Sequence, residues 1–260
     1  MEIVNDVSQK KYDVAVFVLS FNHEKFIEQT LESIIEQNFS KTFHVFINDD
    51  ASTDRTQTIL RQYANKYPDL ITLVLQSENQ YRLGITIGID LFRLSNSDFI
   101  AFCEADDFWS SSSKLEKQFE FLSCNELCSL VHSPVNILNT GGSRKIQRDL
   151  VRYLRNCLPT EKFVSGELLR NGNFIMTNSV MLRRSAVPEL LISDVGPLMP
   201  LDYIIFSLST RFGLIGFIDE KLSTYRLHEN NNWSSKNPTF TKSDHDAKIF
   251  INRFSPFEFN

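Results

Sequence analysis

The sequence predicts an α/β protein, a mostly parallel twisted sheet with helices on both faces, folded as a single domain. Three observations lead there. Short β-branched, apolar runs alternate with segments whose apolar residues recur at helical spacing. The runs are apolar throughout rather than at every second position, as strands covered on both faces require. Acidic residues stand directly after two of these runs, where a parallel sheet opens its ligand crevice.

The first strand is "DVAVFVL" (13–19), bounded by Asp13 and the turn-like "SFNHE". A helix follows from Glu24 to Gln37, with Phe26, Ile27, Leu31, Ile34 and Ile35 recurring along it. "FHVFIN" (43–48) returns to strand character. The next helix runs from about Asp54 to Lys66 on Ile59, Leu60 and Tyr63, with Pro68 just beyond its end. "ITLVLQ" (71–76), a helix near 85–95 and "DFIAFC" (98–103) complete the series. Ser113 and Glu116 then fit a capping box ahead of Leu115, Phe119 and Leu122.

The second half is less regular. Basic residues from Arg144 to Arg155 read as a helix or loop with one cationic side. "FIMTNSVMLRRS" (174–185) reads as a strand, and "LDYIIFSLSTRFG" (201–213) as a helix ended by Gly213. Two short strands lie within "LIGFIDEKLSTYRLHENNNWSS", and the tail is expected to hold one short helix near 242–253. No internal repeat or low-complexity linker divides the chain.

With 260 residues, 42% of them hydrophobic and 23% charged, the chain is long enough and apolar enough for a sizeable core. A net charge of −5 speaks against nucleic acid as a partner, which would call for a basic face. The cysteines Cys103, Cys124, Cys128 and Cys157 form no CxxC pair and read as small buried hydrophobes in a reducing cytosol. Neither a signal peptide nor a bilayer-spanning run is visible, so a cytoplasmic protein is expected, with attachment at the inner face of a membrane left open. The sequons at Asn38 and Asn232 carry little meaning in that compartment.

The chemistry starts from "FIAFCEADDFW", where Glu104, Asp106 and Asp107 crowd into four positions after a buried run. A helix cap would explain one acid, but Ser113 and Glu116 already fill that role. Packed carboxylates raise one another's pKa, and a divalent cation reverses the effect. Hard oxygen ligands suit Mg2+ or Mn2+, which bind few protein groups and reach for substrate phosphates. Asp49 and Asp50 follow the second strand. Ser52 is available to cap the helix beyond, which frees an acid to accept from a nucleobase N–H or a ribose hydroxyl. Acids from separate stretches therefore converge at one sheet edge.

Taken together, "VAVFVLSFNHEKFIEQTLESIIEQNF", "FHVFINDDASTDRT", "FIAFCEADDFW" and "KLEKQFEFL" resemble the family-two glycosyltransferases, inverting enzymes of the GT-A fold. The likeness is dense over the first half and continues more thinly through "LDYIIFSLSTRFGLIGFIDEKLSTYRLHENNNWS". It implies a nucleotide-sugar-binding half (1–122), an acceptor-binding half (123–237) and a C-terminal tail (238–260). It implies that Phe21 lies against a uracil ring, that Ser20 and Asn22 flank the base, and that Asp50 accepts from uracil N3. Glu24 joins the nucleotide contacts. Glu104 and Asp106 would meet the nucleotide, and Asp106 and Asp107 would hold the metal on the diphosphate. His228 would face the diphosphate or metal, and Asp202 would be the general base. The implied partners are a UDP-sugar donor and a glycan or lipid-linked acceptor of surface polysaccharide synthesis.

The sequence departs from the family pattern in places. Leu19-Ser20-Phe21 replaces Pro-Thr-Tyr, removing a hydroxyl. Glu104 replaces the first Asp of the acidic motif, and its longer arm can reach ribose. The Gly-rich region reads "RLGITIGID", where Arg82 can pair with phosphate. Asp202 lacks the usual preceding Glu or Gly, and its plainer role is a first-turn helix acid. Trp109 reads as a packing aromatic and His132 as core or acceptor wall. Arg152 and Arg155 read as a solvated face, or as contacts for an anionic acceptor or membrane. Two rival functions are a sugar-nucleotide nucleotidyltransferase or metal phosphohydrolase, and a nucleotide-binding subunit without turnover. Against the former, the chain has no GxxxxGK[ST] loop.

Overall fold

The computed structural model describes residues 1–7, 10–85, 88–171, 173–187 and 201–229. The chain runs β1 (Glu2–Val4), β2 (Tyr12–Ser20), α1 (Ile27–Ile35), β3 (Phe43–Asp49), α2 (Thr56–Lys66), β4 (Ile71–Leu75), α3 (Ile89–Leu94) and β5 (Ser97–Glu104). It continues with β6 (Phe108–Trp109), α4 (Lys114–Cys124), β7 (Cys128–His132), β8 (Val135–Asn139), α5 (Arg144–Cys157) and β9 (Phe163–Val164). Last come β10 (Met181–Arg183), α6 (Leu201–Ser209), β11 (Leu214–Phe217) and β12 (Ser223–Leu227).

Among the described residues, nine strands form one sheet in the order β1-β4-β3-β2-β5-β10-β7-β11-β9. The block β4-β3-β2-β5 is parallel, as right-handed crossovers through helices demand. β10 then inserts antiparallel between β5 and β7. A second sheet, β6-β12-β8, carries its central strand parallel to β8.

Period-two geometry makes the core two-sided. Val14, Val16 and Val18 of β2 face Ile27, Leu31 and Ile34 of α1 and the inner side of α2. Ala15 and Phe17 point the other way, toward α3 and α6. There Phe17 meets Phe46, Phe92 and Phe102 edge-on, at centroid separations of 6.1, 4.9 and 5.8 Å. A third, smaller core joins Leu150 and Leu154 of α5 to Val135, Tyr225 and Leu227 of the second sheet.

Four local expectations are corrected. The strand expected over 174–185 is only β10; Thr177–Ser179 form a 3-10 turn, in which the Ser179 hydroxyl donates to the Met176 carbonyl. The helix near 85–95 begins at Ile89, because Gly88 sits in the left-handed region at φ 85°. The Ser113–Glu116 capping box does not form: Glu116 accepts instead from the Ser40 amide and hydroxyl, both at 2.8 Å. Helix α4 is held from another element, since the Gln37 side chain accepts from the Leu115 amide at 3.0 Å and donates to the Ser111 carbonyl at 2.8 Å. Finally, Cys124 is exposed, whereas Cys103 and Cys128 are buried. The tail helix near 242–253 and the sequon at Asn232 lie outside the described residues. No helix among the described residues is long and apolar enough to cross a membrane.

Candidate active site

Register places the acid-bearing strand ends side by side. Ser20 pairs with Asp49 and Leu19 with Glu104, and the ladder continues as the Asp50 amide donates to the Ser20 carbonyl at 2.9 Å. The hydroxyl of buried Ser20 has no partner among the described residues, an unmet hydrogen-bonding capacity at this edge. Phe21 is half-buried beside it.

The two acids after β3 divide their labour. Asp49 is fully buried and accepts from the Ser52 amide, the Ser52 hydroxyl and the Gln57 side chain. It builds a turn that leaves Ala51 at φ 59°, an uncommon position for a residue with a Cβ. Ser52 therefore closes onto Asp49 and does not cap α2. No side chain caps α2 at its N-cap Arg55; Asp54, one residue earlier, accepts from the Thr56 amide at 2.9 Å. Asp50 accepts from the amides of Gln80 and Tyr81 at 2.6 and 3.2 Å. Burial pushes its carboxyl above the usual range while those amides oppose the rise. Arg82, next in line, is exposed. Asn22, at φ 57°, accepts from the Thr53 amide at 2.8 Å, and Glu24 accepts from the Arg55 amide at 3.0 Å. Both spend their side chains on joining the β2 and β3 loops.

Beyond β5 the chain turns sharply, with the Asp107 amide donating to the Glu104 carbonyl at 3.0 Å. The Thr30 hydroxyl of α1 lies 2.9 and 2.6 Å from the carbonyls of Ala105 and Asp107, fixing that turn to the helix. Carboxylate oxygens of Glu104, Asp106 and Asp107 all come within 4.8 Å of one another. His228, at the end of β12, places Nε2 3.0 Å from Oδ2 of Asp106. Burial works to raise Asp106, but the His228 hydrogen bond and the charge of His23 take it below its ordinary value. Burial and the carboxylates of Asp106 and Asp202 push Glu104 up to about 8. Burial, Asp106 and Glu104 likewise push Asp107 well up.

Asp202 opens α6. It accepts from the Asn173 side chain at 3.1 Å and lies near the Thr177 hydroxyl at 3.4 Å. Its charge bears on Glu104, though the close acidic group itself is Glu104, Asp106 and Asp107. An all-oxygen set of crowded carboxylates, two of them pushed up by burial and by their neighbours' charge, fits a hard divalent cation. Glu104, Asp106 and Asp107 could hold such an ion, with His228 beside Asp106.

Two residues of the site were not singled out from the sequence. His23 sets Nε2 3.9 Å from Oδ2 of Asp106, the oxygen that His228 also meets. Arg226 is buried between the rings of Phe26 and Phe108, at 5.0 and 4.8 Å from their centroids. Its guanidinium donates to the Asp106 carbonyl at 2.6 Å and to the Gln29 side chain, and its amide donates to Asp107 Oδ1 at 2.8 Å. A signal for it existed: an Arg inside "STYRL", a strand buried at every position. Trp109 and His132 are packing groups. The Lys114 ammonium lies 4.3 Å over the Trp109 ring, and His132 packs against Phe174 and Phe217.

The fold is shared with solved structures that hold nucleotide sugars. TarS of S. aureus in complex with UDP-GlcNAc superposes with a TM-score of 0.69 at 18% identity, over 92% of this chain and 65% of that one. Mannosyltransferase PcManGT from Pyrobaculum calidifontis, in complex with GDP-Man and Mn2+, gives 0.62 at 19% identity, over 88% and 61%. The model of Glycosyl transferase family 2 matches residues 15–191, and the chain belongs to that family. Among curated relatives, Rv1520 of Mycobacterium tuberculosis is 28% identical over 223 residues, 85% of this chain and 61% of its own length. The putative teichuronic acid biosynthesis glycosyltransferase TuaG of Bacillus subtilis is 26% identical over 232 residues, 87% and 85%. The chain spans about three-fifths of the length of the mycobacterial relatives.

Proposed function

We propose that this chain moves a sugar from a nucleoside-diphosphate sugar, a UDP-sugar, to a hydroxyl of a glycan or lipid-linked acceptor in surface polysaccharide synthesis. The transfer is inverting, uses Mn2+ or Mg2+, and takes place in the cytoplasm. One observation carries the reading: Glu104, Asp106 and Asp107 gather within 4.8 Å at the sheet edge while the charge of Asp202, on α6, bears on Glu104. Family membership and the nucleotide-sugar ligands of TarS and PcManGT support it.

In this reading Ser20, Phe21 and Asp50 receive the uridine, with Asn22 and Glu24 shaping the loop around it and Arg82 facing phosphate. Glu104 contacts the ribose, and Asp106, Asp107 and His228 hold the cation. When bound, that cation neutralises the charge developing on the departing diphosphate. Asp202 takes the proton from the acceptor hydroxyl as its oxygen bonds to the anomeric carbon. The bond from that carbon to the diphosphate breaks, and its electron pair leaves with the diphosphate. Attack from the side opposite the leaving group inverts the centre.

Calorimetric titration with UDP, with and without Mn2+, tests the site. Asp106→Asn is expected to weaken Mn2+-dependent UDP binding at least tenfold. Asp202→Asn should keep UDP binding while cutting transfer by about 10²–10⁴, the ordinary worth of a general base. Release of pyrophosphate from UTP and a sugar phosphate would favour the nucleotidyltransferase reading. UDP binding without turnover of any donor would favour the non-catalytic one.

A further inference from the structure

Helix α5 departs from the charge pattern of the rest of the molecule. Across 144–155 it carries five cations and one acid in a chain of net charge −5. Arg144, Lys145, Arg148, Arg152 and Arg155 are all exposed, and none has an ion-pair partner among the described residues. Elsewhere on the surface several cations are matched, as in Arg61–Glu2, Lys11–Asp98 and Lys117–Glu220, and no other described helix gathers five without one pair. Helix stability does not explain the five. Arg144 and Lys145 sit in the first turn, where the helix dipole disfavours positive charge, and no acid offsets them there.

The spacing 144, 148, 152, 155 aligns the arginines along one side, over about 16 Å at 1.5 Å per residue. The opposite side is committed, with Leu150 and Leu154 packed on Tyr225 and Leu227. α5 is also tied to the acceptor side of the site. The Tyr153 hydroxyl donates to the Asn173 carbonyl at 3.1 Å, and the Asn173 side chain donates to Asp202 at 3.1 Å.

We propose that the outer face of α5 docks the protein onto an anionic phospholipid bilayer, with the arginines engaging lipid phosphates and the Asp202 side of the site turned toward the membrane. A single convex helix face has no groove for a linear polyanion but fits a planar array of phosphates. Arginine, four of the five cations, is the side chain suited to bidentate phosphate contact. Val151, exposed between Arg148 and Arg152, gives the stripe an apolar contact with the interface. At the start of the helix an open cavity of about 600 Å3, lined by Asn139, Gly141, Gly142, Arg144, Gln147 and Arg148, has room for a headgroup. The proposal deepens the lipid-linked acceptor reading, yet its test does not depend on sugar transfer.

Co-sedimentation of the full chain with vesicles of phosphatidylcholine containing 30% phosphatidylglycerol, against pure phosphatidylcholine, decides the matter. Binding is expected to the anionic vesicles only, and to vanish in 0.5 M NaCl. Reversing three charges together (Arg148→Glu, Arg152→Glu, Arg155→Glu) should weaken binding at least 100-fold, since each cation near such a surface contributes about fivefold. The triple lysine variant should retain most of the binding, and both variants should melt as the wild type does and keep UDP affinity. Equal binding to both vesicle types, binding to neither, or an unaffected glutamate variant would overturn the proposal. Tighter binding to long-chain polyphosphate than to the anionic vesicles would also overturn it, in favour of a soluble polyanion. A failed UDP titration with intact vesicle binding would sink the transfer reading alone.

Discussion

At the residue scale the site is organised by a buried cation that grips its acidic turn. Arg226 holds the acidic turn from behind, through one carbonyl, one carboxylate and two flanking rings. Lysine in its place keeps the charge but cannot span Asp106 and Gln29 together. Arg226→Lys is expected to destabilise the fold by about 1.5–3 kcal/mol, the worth of a buried hydrogen bond to a charged group. It should also lower the affinity for Mn2+ measured by paramagnetic titration, and a wild-type urea midpoint would contradict this account. The acids and His228 were legible in the sequence because each follows a strand or belongs to a motif. Arg226 was not, because its meaning depends on Gln29, 197 positions away. His23 was hidden for a similar reason: its ring nitrogen meets an aspartate delivered by another strand.

At the scale of elements, a local pattern can lose to a distant partner. Ser113 and Glu116 have the spacing of a capping box, yet α4 takes its N-terminal support from Gln37, just past the end of α1. Gln37→Ala is therefore expected to cost about 1–2 kcal/mol in urea unfolding, and Ser113→Ala less than about 0.5 kcal/mol. The reverse order would restore the local cap. Strand β10 makes the same point. The Ser179 hydroxyl bonds back to the Met176 carbonyl, while Thr177 and Asn178 turn their side chains to Asp202 and Ser223, so the expected long strand shrinks to three residues.

For the molecule as a whole, two fully buried histidines set the response to acid. Burial lowers His44 to about 4 and His132 to about 3. Thr72 donates its hydroxyl proton to the Asn5 carbonyl, so the proton between His44 Nε2 and Thr72 belongs to the ring. The unfolded chain takes up protons near pH 6.5 while the fold resists, so stability falls as pH drops from about 6.5 toward 4. Each histidine is expected to remove roughly 2–3 kcal/mol by pH 4.5. Urea melts of His132→Leu at pH 7 and 4.5 should show a smaller acid loss than wild type; an equal loss would refute the assignment. The alternation of strands and helices over the first hundred residues was readable because both faces of that sheet are apolar. How the sheet continues was not, because β10 enters against the parallel direction and from far along the chain. That insertion bears on synthesis. The bonding edge of β5 waits 77 positions for its neighbour, which at ribosomal speeds is roughly 4–15 s. Throughout that interval the nascent chain presents an open, apolar seam, and a chaperone that shields it would raise the yield of folded protein.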